Sequence, residues 1–372
     1  MESEDSFFEA LEAQYSKQLP FVVYSRPVNS VIKCWLQKDA TLHKTASFTE
    51  SGFVFAPFNF NEQTVLFPEQ DCEQFQIEAS QLTVSTEDSS FKTSETEKAS
   101  HVALVANGIE AITEGALKKV VLSRRQSLDL SNDNPFHIFK KLFNTYKEAM
   151  VYCWYHPQVG LWLGATPELL LKVNGPQLTT ISLAGTQTYK ADAEVNWSPK
   201  EVEEQQIVTD YISEQIAPYC KTTSVGQAET VRAGNLVHLK SKITGTMERS
   251  VNLRAVIEAL HPTPAVCGFP KETAKNFILQ KENYKREFYT GFLGELNLKI
   301  SRTRNTNRRN VENNAYAVVR THSNFYVNLR CMQLKEGKAL LYVGGGITKD
   351  SQPLAEWEET VNKSRTIGAV LV

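Results

Sequence analysis

Short apolar runs alternate with polar turns through the first third of the chain, FVVYS from Phe21 and FVFAPF from Phe53 among them. Runs of this length, rich in β-branched and aromatic residues and bounded by turn residues, predict buried strands. The pattern changes between Thr86 and Ser100, where TEDSSFKTSETEKAS is rich in Ser, Thr and Glu and predicts a connection. From Ala99 to Leu117, Val102, Val105, Ile109 and Ile112 recur at spacings of three and four, one face of a helix. Period two returns from Lys119 to Leu128. Further strands are predicted at Met150–Trp154, Gly160–Gly164, Leu169–Val173, Gly291–Leu298, Tyr326–Leu334 and Ala339–Val343.

The best-specified helix begins at Ser198. Ser198, Pro199 and Glu201 supply an N-cap, a proline at the first helical position and the returning carboxylate of a capping box. Another helix runs from Pro353 to about Ile367, with Asp350 and Ser351 as candidate caps. Many strands and a few long helices, without regular βαβ alternation, predict an α+β fold.

Composition narrows the function. The 372 residues carry 40 basic and 42 acidic side chains, a net charge of -2, so no domain-wide basic footprint for nucleic acid exists. No run approaches the ~20 apolar residues of a membrane span. The start, MESEDSFFEA, is acidic where a leader would be basic, so a cytoplasmic protein is expected. Cys34, Cys72, Cys153, Cys220, Cys267 and Cys331 lie far apart, with no CxxC pair, and read as reduced core residues.

Several residues could do chemistry. Glu204 stands three, four and seven positions before Ile207, Val208 and Tyr211, on a face with apolar residues; a carboxylate there is either a wet-edge partner of a base or a ligand. Glu356, Glu359, Lys363 and Ile367 form one stripe of the C-terminal helix, either a solvated Glu-to-Lys pair or half of a Mg²⁺ site. Gly344-Gly345-Gly346 follows the strand ALLYV and reads as a turn, plain or anion-binding, that matches neither a dinucleotide fingerprint nor a P-loop. Arg330 sits in an apolar strand and needs a carboxylate. Lys119, heading its strand, is either a general base in a poorly solvated cleft or a lysine reaching into water. Lys299–Asn310, with Lys299, Arg302, Arg304, Arg308 and Arg309, reads as a solvated loop.

These pieces assemble into an ordered set: KVVLSR at 119–124, GATPELLL at 164–171, SLAGT at 182–186, KEVEEQQIV at 200–208, HPTPAVCGFP at 261–270, YTGFLGEL at 289–296, VNLRC at 327–331, GGGI at 344–347 and PLAEWEET at 353–360. The set resembles the chorismate-utilising enzymes, and among them the isochorismate synthases. It covers roughly Ser100 to the C-terminus; before it, only FAPF at 55–58 matches. The resemblance implies one domain over 1–372, with stacked antiparallel sheets flanked by helices, a sheet portion at 1–98 and a chorismate-binding catalytic portion at 99–372.

Carried over by motif, the resemblance makes Lys119 the base that activates water and Glu168 the acid that protonates the departing hydroxyl. It makes Glu204, Glu356 and Glu359 the Mg²⁺ ligands. Arg330, Lys363, Gly345 and Gly346 hold carboxylates, and Ala184, Gly185, Thr186, His238, Ala265, Val266 and Tyr289 line the cleft. It implies chorismate as substrate, Mg²⁺ as cofactor, a monomer, and no nucleic-acid or membrane partner. A salicylate synthase, which adds pyruvate elimination, is the competing activity. The segment Leu183-Ala184-Gly185-Thr186 lacks the nucleophilic lysine of aminodeoxychorismate-forming relatives. Two departures stand out: Gln205 replaces the His common after the metal-binding Glu, and the 299–320 loop is long. A reading of a different class makes the chain a non-catalytic RNA-binding protein that uses its Arg302–Arg309 loop.

Overall fold

The computed structural model describes residues 3–84, 95–130, 134–189, 195–233, 236–248, 250–302 and 318–371. In chain order it runs α1 (Glu4–Ser16), β1 (Phe21–Ser25), β2 (Val31–Gln37), β3 (Lys44–Thr45), β4 (Gly52–Ala56), β5 (Thr64–Pro68), β6 (Cys72–Glu78) and α2 (Glu95–Thr113). Then come β7 (Lys119–Asp129), α3 (Pro135–Thr145), β8 (Met150–His156), β9 (Gly160–Thr166), β10 (Leu169–Asn174), β11 (Gln177–Thr188) and α4 (Pro199–Ile216). After α4 follow β12 (Cys220–Val225), β13 (Glu229–Ala233), β14 (Leu236–Met247), α5 (Leu253–Leu260), β15 (Gly268–Phe269) and α6 (Lys271–Lys281). The last elements are β16 (Phe292–Arg302), β17 (Val318–Val327), β18 (Cys331–Lys335), β19 (Lys338–Ile347) and α7 (Pro353–Gly368).

The strands form two antiparallel sheets. One has the order β15-β7-β19-β18-β9-β8-β1-β2-β6, the other β12-β14-β11-β10-β17-β16-β4-β5-β3, with β13 also on β14. Side chains alternate across each strand, and here both faces are covered. Phe21 and Val23 of β1 pack with Phe8 of α1 and Phe139 of α3, while Val22 and Tyr24 enter the layer between the sheets. That middle layer is aromatic, with Trp35, Phe55, Trp154, Trp162 and Phe288. The far face of the second sheet packs Val208 and Ile212 of α4 and Ile257 of α5 against Leu171, Ile243 and Phe325. Two covered faces explain why the strands read as unbroken apolar runs.

Residues 1–98 do not stand apart: β1, β2 and β6 belong to the first sheet, and β3, β4 and β5 to the second through the β4–β16 pairing. The connection expected at Thr86–Ser100 is shorter, since α2 begins at Glu95; 85–94 lie outside the described residues. The capping box is present: Glu201 N–H donates to Ser198 Oγ at 3.4 Å, and Ser198 N–H to Glu201 Oε2 at 2.8 Å. All six cysteines are free, five of them buried. Among the described residues no helix is long and apolar enough to cross a membrane.

Two sequence expectations change. Tyr326–Leu334 is not one strand: β17 ends at Val327 in the second sheet, β18 starts at Cys331 in the first, and Arg330 lies between them at φ 48°. Apolar residues continue because both sheets are buried, so hydrophobicity alone hides the crossing. Gly344–Gly346 is no turn either; it is strand, paired with Ser123, Leu122 and Val121 of β7.

Candidate functional site

The site begins at two places where the chain passes between the sheets. β9 and β10 belong to different sheets, and Thr166-Pro167-Glu168 makes that passage; Asn328-Leu329-Arg330 makes the return passage between β17 and β18. The passages lie side by side. Val327 N–H donates to Glu168 O at 2.9 Å, Ala165 N–H donates to Arg330 O at 3.1 Å, and Thr166 Oγ1 donates to Val327 O. Glu168 and Arg330, 162 positions apart in sequence, are thereby fixed near one another. A non-glycine residue at positive φ is uncommon and costs on the order of 1 kcal/mol, a strain found most often at functional positions.

Electrostatics tie the other candidates to this pair. Burial pushes the Glu168 carboxyl up from 4.5 to about 7, although the Lys119 ammonium and Arg330 guanidinium both pull it down. Desolvation therefore wins over two cations. Burial also lowers His238, whose Nδ1 lies 3.2 Å from Gly185 O, and Arg330 and Lys363 lower it further. Arg330 faces Tyr146 as well as Glu168, and its pKa falls through burial.

The glycines of β19 let the remaining groups approach. A Cβ on Gly346 would meet Lys119 Cε at 3.0 Å, and one on Gly345 would meet Glu356 Oε2 at 3.2 Å and Glu359 Oε1 at 3.6 Å. Their missing side chains are the space that the lysine and the two acids occupy. Lys363 Nζ donates to Gly344 O at 2.9 Å and pairs with Glu359 at 2.6 Å, the Glu-to-Lys contact expected one turn apart.

The first turn of α7 brings one bare carboxylate oxygen beside a second acid. Ser351 does not cap the helix; its hydroxyl donates to Glu356 Oε1 at 2.7 Å. Glu356 Oε2 is buried with no hydrogen-bond partner among the described residues, and burial, then Glu359, raises the Glu356 pKa. A bare, desolvated carboxylate oxygen beside a second acid fits a hard divalent ion. No group of three or more acids, His or Cys converges among the described residues, but the Glu204 side chain lies outside them, as does that of Thr186.

The neighbour of Glu204 is well placed. Gln205 is buried, and its Nε2 reaches Ser182 Oγ at 3.0 Å, Thr209 Oγ1 at 3.3 Å and Ser241 Oγ at 3.3 Å. It fastens the first turns of α4 to β11 and β14, so the residue that departs from the family pattern is an anchor.

Other expected lining residues do not join the group. Val266 packs into the apolar cluster under α4 and α5, where Ala184 also lies. Tyr289 is buried between the sheets, stacked on Tyr342 with ring centroids 5.4 Å apart, and only its hydroxyl borders Gly344. Ala265 is partly exposed beside them. The basic stretch is not all loop: Lys299–Arg302 belong to β16, paired with β17, and positions 303–317 lie outside the described residues.

Two groups escape the sequence reading. Tyr146, beyond α3, faces Arg330. Arg286 is buried in a paired, fully used state: it donates to Glu282 Oε1 at 2.6 Å and Oε2 at 2.8 Å, to Val121 O at 2.7 Å, to Val266 O at 3.0 Å and to Thr290 Oγ1 at 3.1 Å. It joins β7, the 261–267 segment and the turn after Tyr289, so it ties three segments far apart in sequence together. Glu282 shares the work, accepting Ser123 N–H at 2.9 Å and its hydroxyl at 2.7 Å. The only local signal was a Glu and an Arg four apart in KENYKRE, which surface helices also show.

Comparison with known proteins matches this arrangement to one family. Its family models, both described as chorismate binding enzyme, match residues 13–301 and 315–368. The chain is 29% identical over 282 residues to isochorismate synthase DhbC of Bacillus subtilis, and 28% identical over 270 to the salicylate biosynthesis isochorismate synthase of Pseudomonas aeruginosa. These alignments cover 71% and 70% of the chain but 65% and 52% of those proteins, less than two thirds of each. Anthranilate synthase component 1 of Lactococcus lactis is 30% identical over 276 residues, covering 70% of the chain and 55% of that protein. A putative 2,3-dihydroxybenzoate-specific isochorismate synthase, DhbC, from Bacillus anthracis has the same fold, with a TM-score of 0.75 and 24% identity over 97% of this chain and 98% of that one. The chain, with its two antiparallel sheets and the charged groups gathered where they exchange strands, belongs to the chorismate-binding enzyme family.

Proposed function

We propose that the protein is an isochorismate synthase, an isomerase that adds water to ring carbon 2 of chorismate and removes the hydroxyl from carbon 4 as the double bonds shift. The observation that carries this reading is Glu168, a carboxyl whose burial raises it to about 7 beside two cations. Hydroxide leaves poorly, and a group half protonated near neutrality can give it a proton. Lys119, held against Gly346 and acting on Glu168, is the group that takes the proton from the attacking water. Arg330 and Lys363 offer fixed positive charge to the two substrate carboxylates, and both act on His238.

Glu356 and Glu359, with Glu204 from α4, would hold Mg²⁺, whose positive charge would bind the ring carboxylate and stabilise charge as the diene rearranges. The chain's own contribution there is positional: Ser351 orients one oxygen of Glu356 and leaves the other bare.

The test is incubation with chorismate, with and without Mg²⁺, followed by separation of the products. Isochorismate as the main product, lost without Mg²⁺ and lost in Lys119→Ala, is expected. Salicylate as the main product would assign the competing activity, and unchanged isochorismate formation by Lys119→Ala would refute the assigned base.

A further inference from the structure

A cavity of about 230 Å³ opens on the α4 side of Lys119. Its walls are Ile207, Val208 and Tyr211 of α4 with Pro264 and Phe269, and the polar groups at its rim are Lys118, Lys119, Glu203 and Thr348. Neither Glu168 nor Arg330, His238 or Lys363 lines it. Among the described residues, Lys119 is the group shared by the cavity and the charged site. Two chambers therefore meet at one ammonium.

The two chambers differ in chemistry. The charged site offers cations and acids, whereas this cavity offers apolar surface and two rings, Tyr211 and Phe269, set edge to face at 5.9 Å and 81°. Lys118 Nζ lies 5.5 Å from the Phe269 ring centroid. Ile207 is 55% exposed at the rim, a large aliphatic side chain that a bound ring would cover. The volume falls below the ~300–1,000 Å³ of pockets for drug-sized ligands, so it suits one ring and not two. Two lysines against one glutamate favour a monoanion.

We propose that this cavity binds a single-ring aromatic monocarboxylate. The ring lies between Ile207 and the Tyr211–Phe269 pair, the carboxylate sits at Lys118 and Lys119, and occupancy inhibits turnover by engaging Lys119. Binding stands on the cavity alone; only the inhibition rests on the reading of Lys119 as the base. Because the groups assigned to chorismate lie in the other chamber, the inhibitor lowers kcat and leaves KM nearly unchanged.

The probe is benzoate, titrated into the full chain and followed by ligand-observed saturation-transfer NMR, with chorismate turnover measured in parallel. Saturable binding with Kd of roughly 1 mM is expected. Benzyl alcohol, which lacks the charge, and acetate, which lacks the ring, should each bind about tenfold more weakly. Ile207→Glu, at an exposed position that folding does not require, should weaken benzoate about tenfold through like-charge repulsion. Arg330→Ala should leave benzoate affinity unchanged. Benzoate binding lost in Arg330→Ala and kept in Ile207→Glu would move the ligand into the charged site and overturn the proposal, as would equal binding of acetate or no saturation at all. Saturable benzoate binding by a chain that does not convert chorismate would uphold the site and sink the assigned activity.

Discussion

Two glutamates that lose hydration in different parts of the molecule have opposite fates. Glu295, on β16 between the sheets, accepts from Tyr24 Oη at 2.6 Å and Lys33 Nζ at 3.1 Å, with Arg26 at 3.6 Å and His322 at 3.6 Å. Burial alone would raise it, but His322, Lys33, Arg26 and Tyr24 together hold it well below the usual carboxylate range. Glu168 is desolvated too, has two cations nearby, and still rises to about 7. The difference is contact: partners at hydrogen-bonding distance stabilise the charge, whereas cations set back around an open space do not. A carboxyl left under-satisfied in a cleft is poised to exchange a proton, and one fully satisfied between sheets is fixed.

Removing each carboxylate should therefore have different consequences. Glu168→Gln is expected to cut turnover by roughly 10²- to 10⁴-fold, the range of general acid catalysis, while the folded fraction measured by circular dichroism is unchanged. A variant that retains more than a tenth of the activity would remove Glu168 from the reaction. Glu295→Gln should do the reverse, costing about 3–5 kcal/mol in denaturant unfolding because Lys33 and Arg26 lose their partner, with turnover per folded molecule preserved.

The signs with pH should also oppose. A carboxyl raised from 4.5 to about 7 binds its proton more tightly when folded, so its contribution falls as pH climbs through that window, by at most about 3 kcal/mol. Glu295, held low, contributes stability above its unfolded value near 4.5 that is lost as pH drops below it. Unfolding free energies measured between pH 3 and 8 should lose the first slope in Glu168→Gln and the second in Glu295→Gln. The smallest effect is expected at Ser351. Ser351→Ala should raise the Mg²⁺ concentration for half-maximal activity by roughly tenfold or less, with kcat at saturating Mg²⁺ close to that of the parent.

Local chemistry made much of this legible in advance. The start of α4 follows from Ser198, Pro199 and Glu201 alone, and the Glu359–Lys363 contact follows from a four-residue spacing, because caps and helix neighbours involve groups within one turn. The ordered motifs identified the family. The break at Arg330 escaped notice because an apolar run looks the same whether it stays in one buried sheet or crosses to another. Gly344–Gly346 was misread as a turn for a related reason: glycine suits turns, and only close approach explains three glycines inside a strand, by Leu122 O, Ser123 and the Tyr289 hydroxyl at Gly344, by Glu356 and Glu359 at Gly345 and by Lys119 at Gly346. Arg286 carried no periodic signal, since its five bonds run to segments far apart in sequence.

Sequence by itself determined the elements, their buried faces and the residues available for chemistry, since alternation, helical stripes and caps act over a few positions. Tertiary structure decided what those residues are. The Glu168 carboxyl rises to about 7 because two crossings between sheets seat it beside Arg330 and near Lys119, where desolvation exceeds the pull of both cations. That balance depends on distances among positions 119, 168 and 330, which no local pattern encodes.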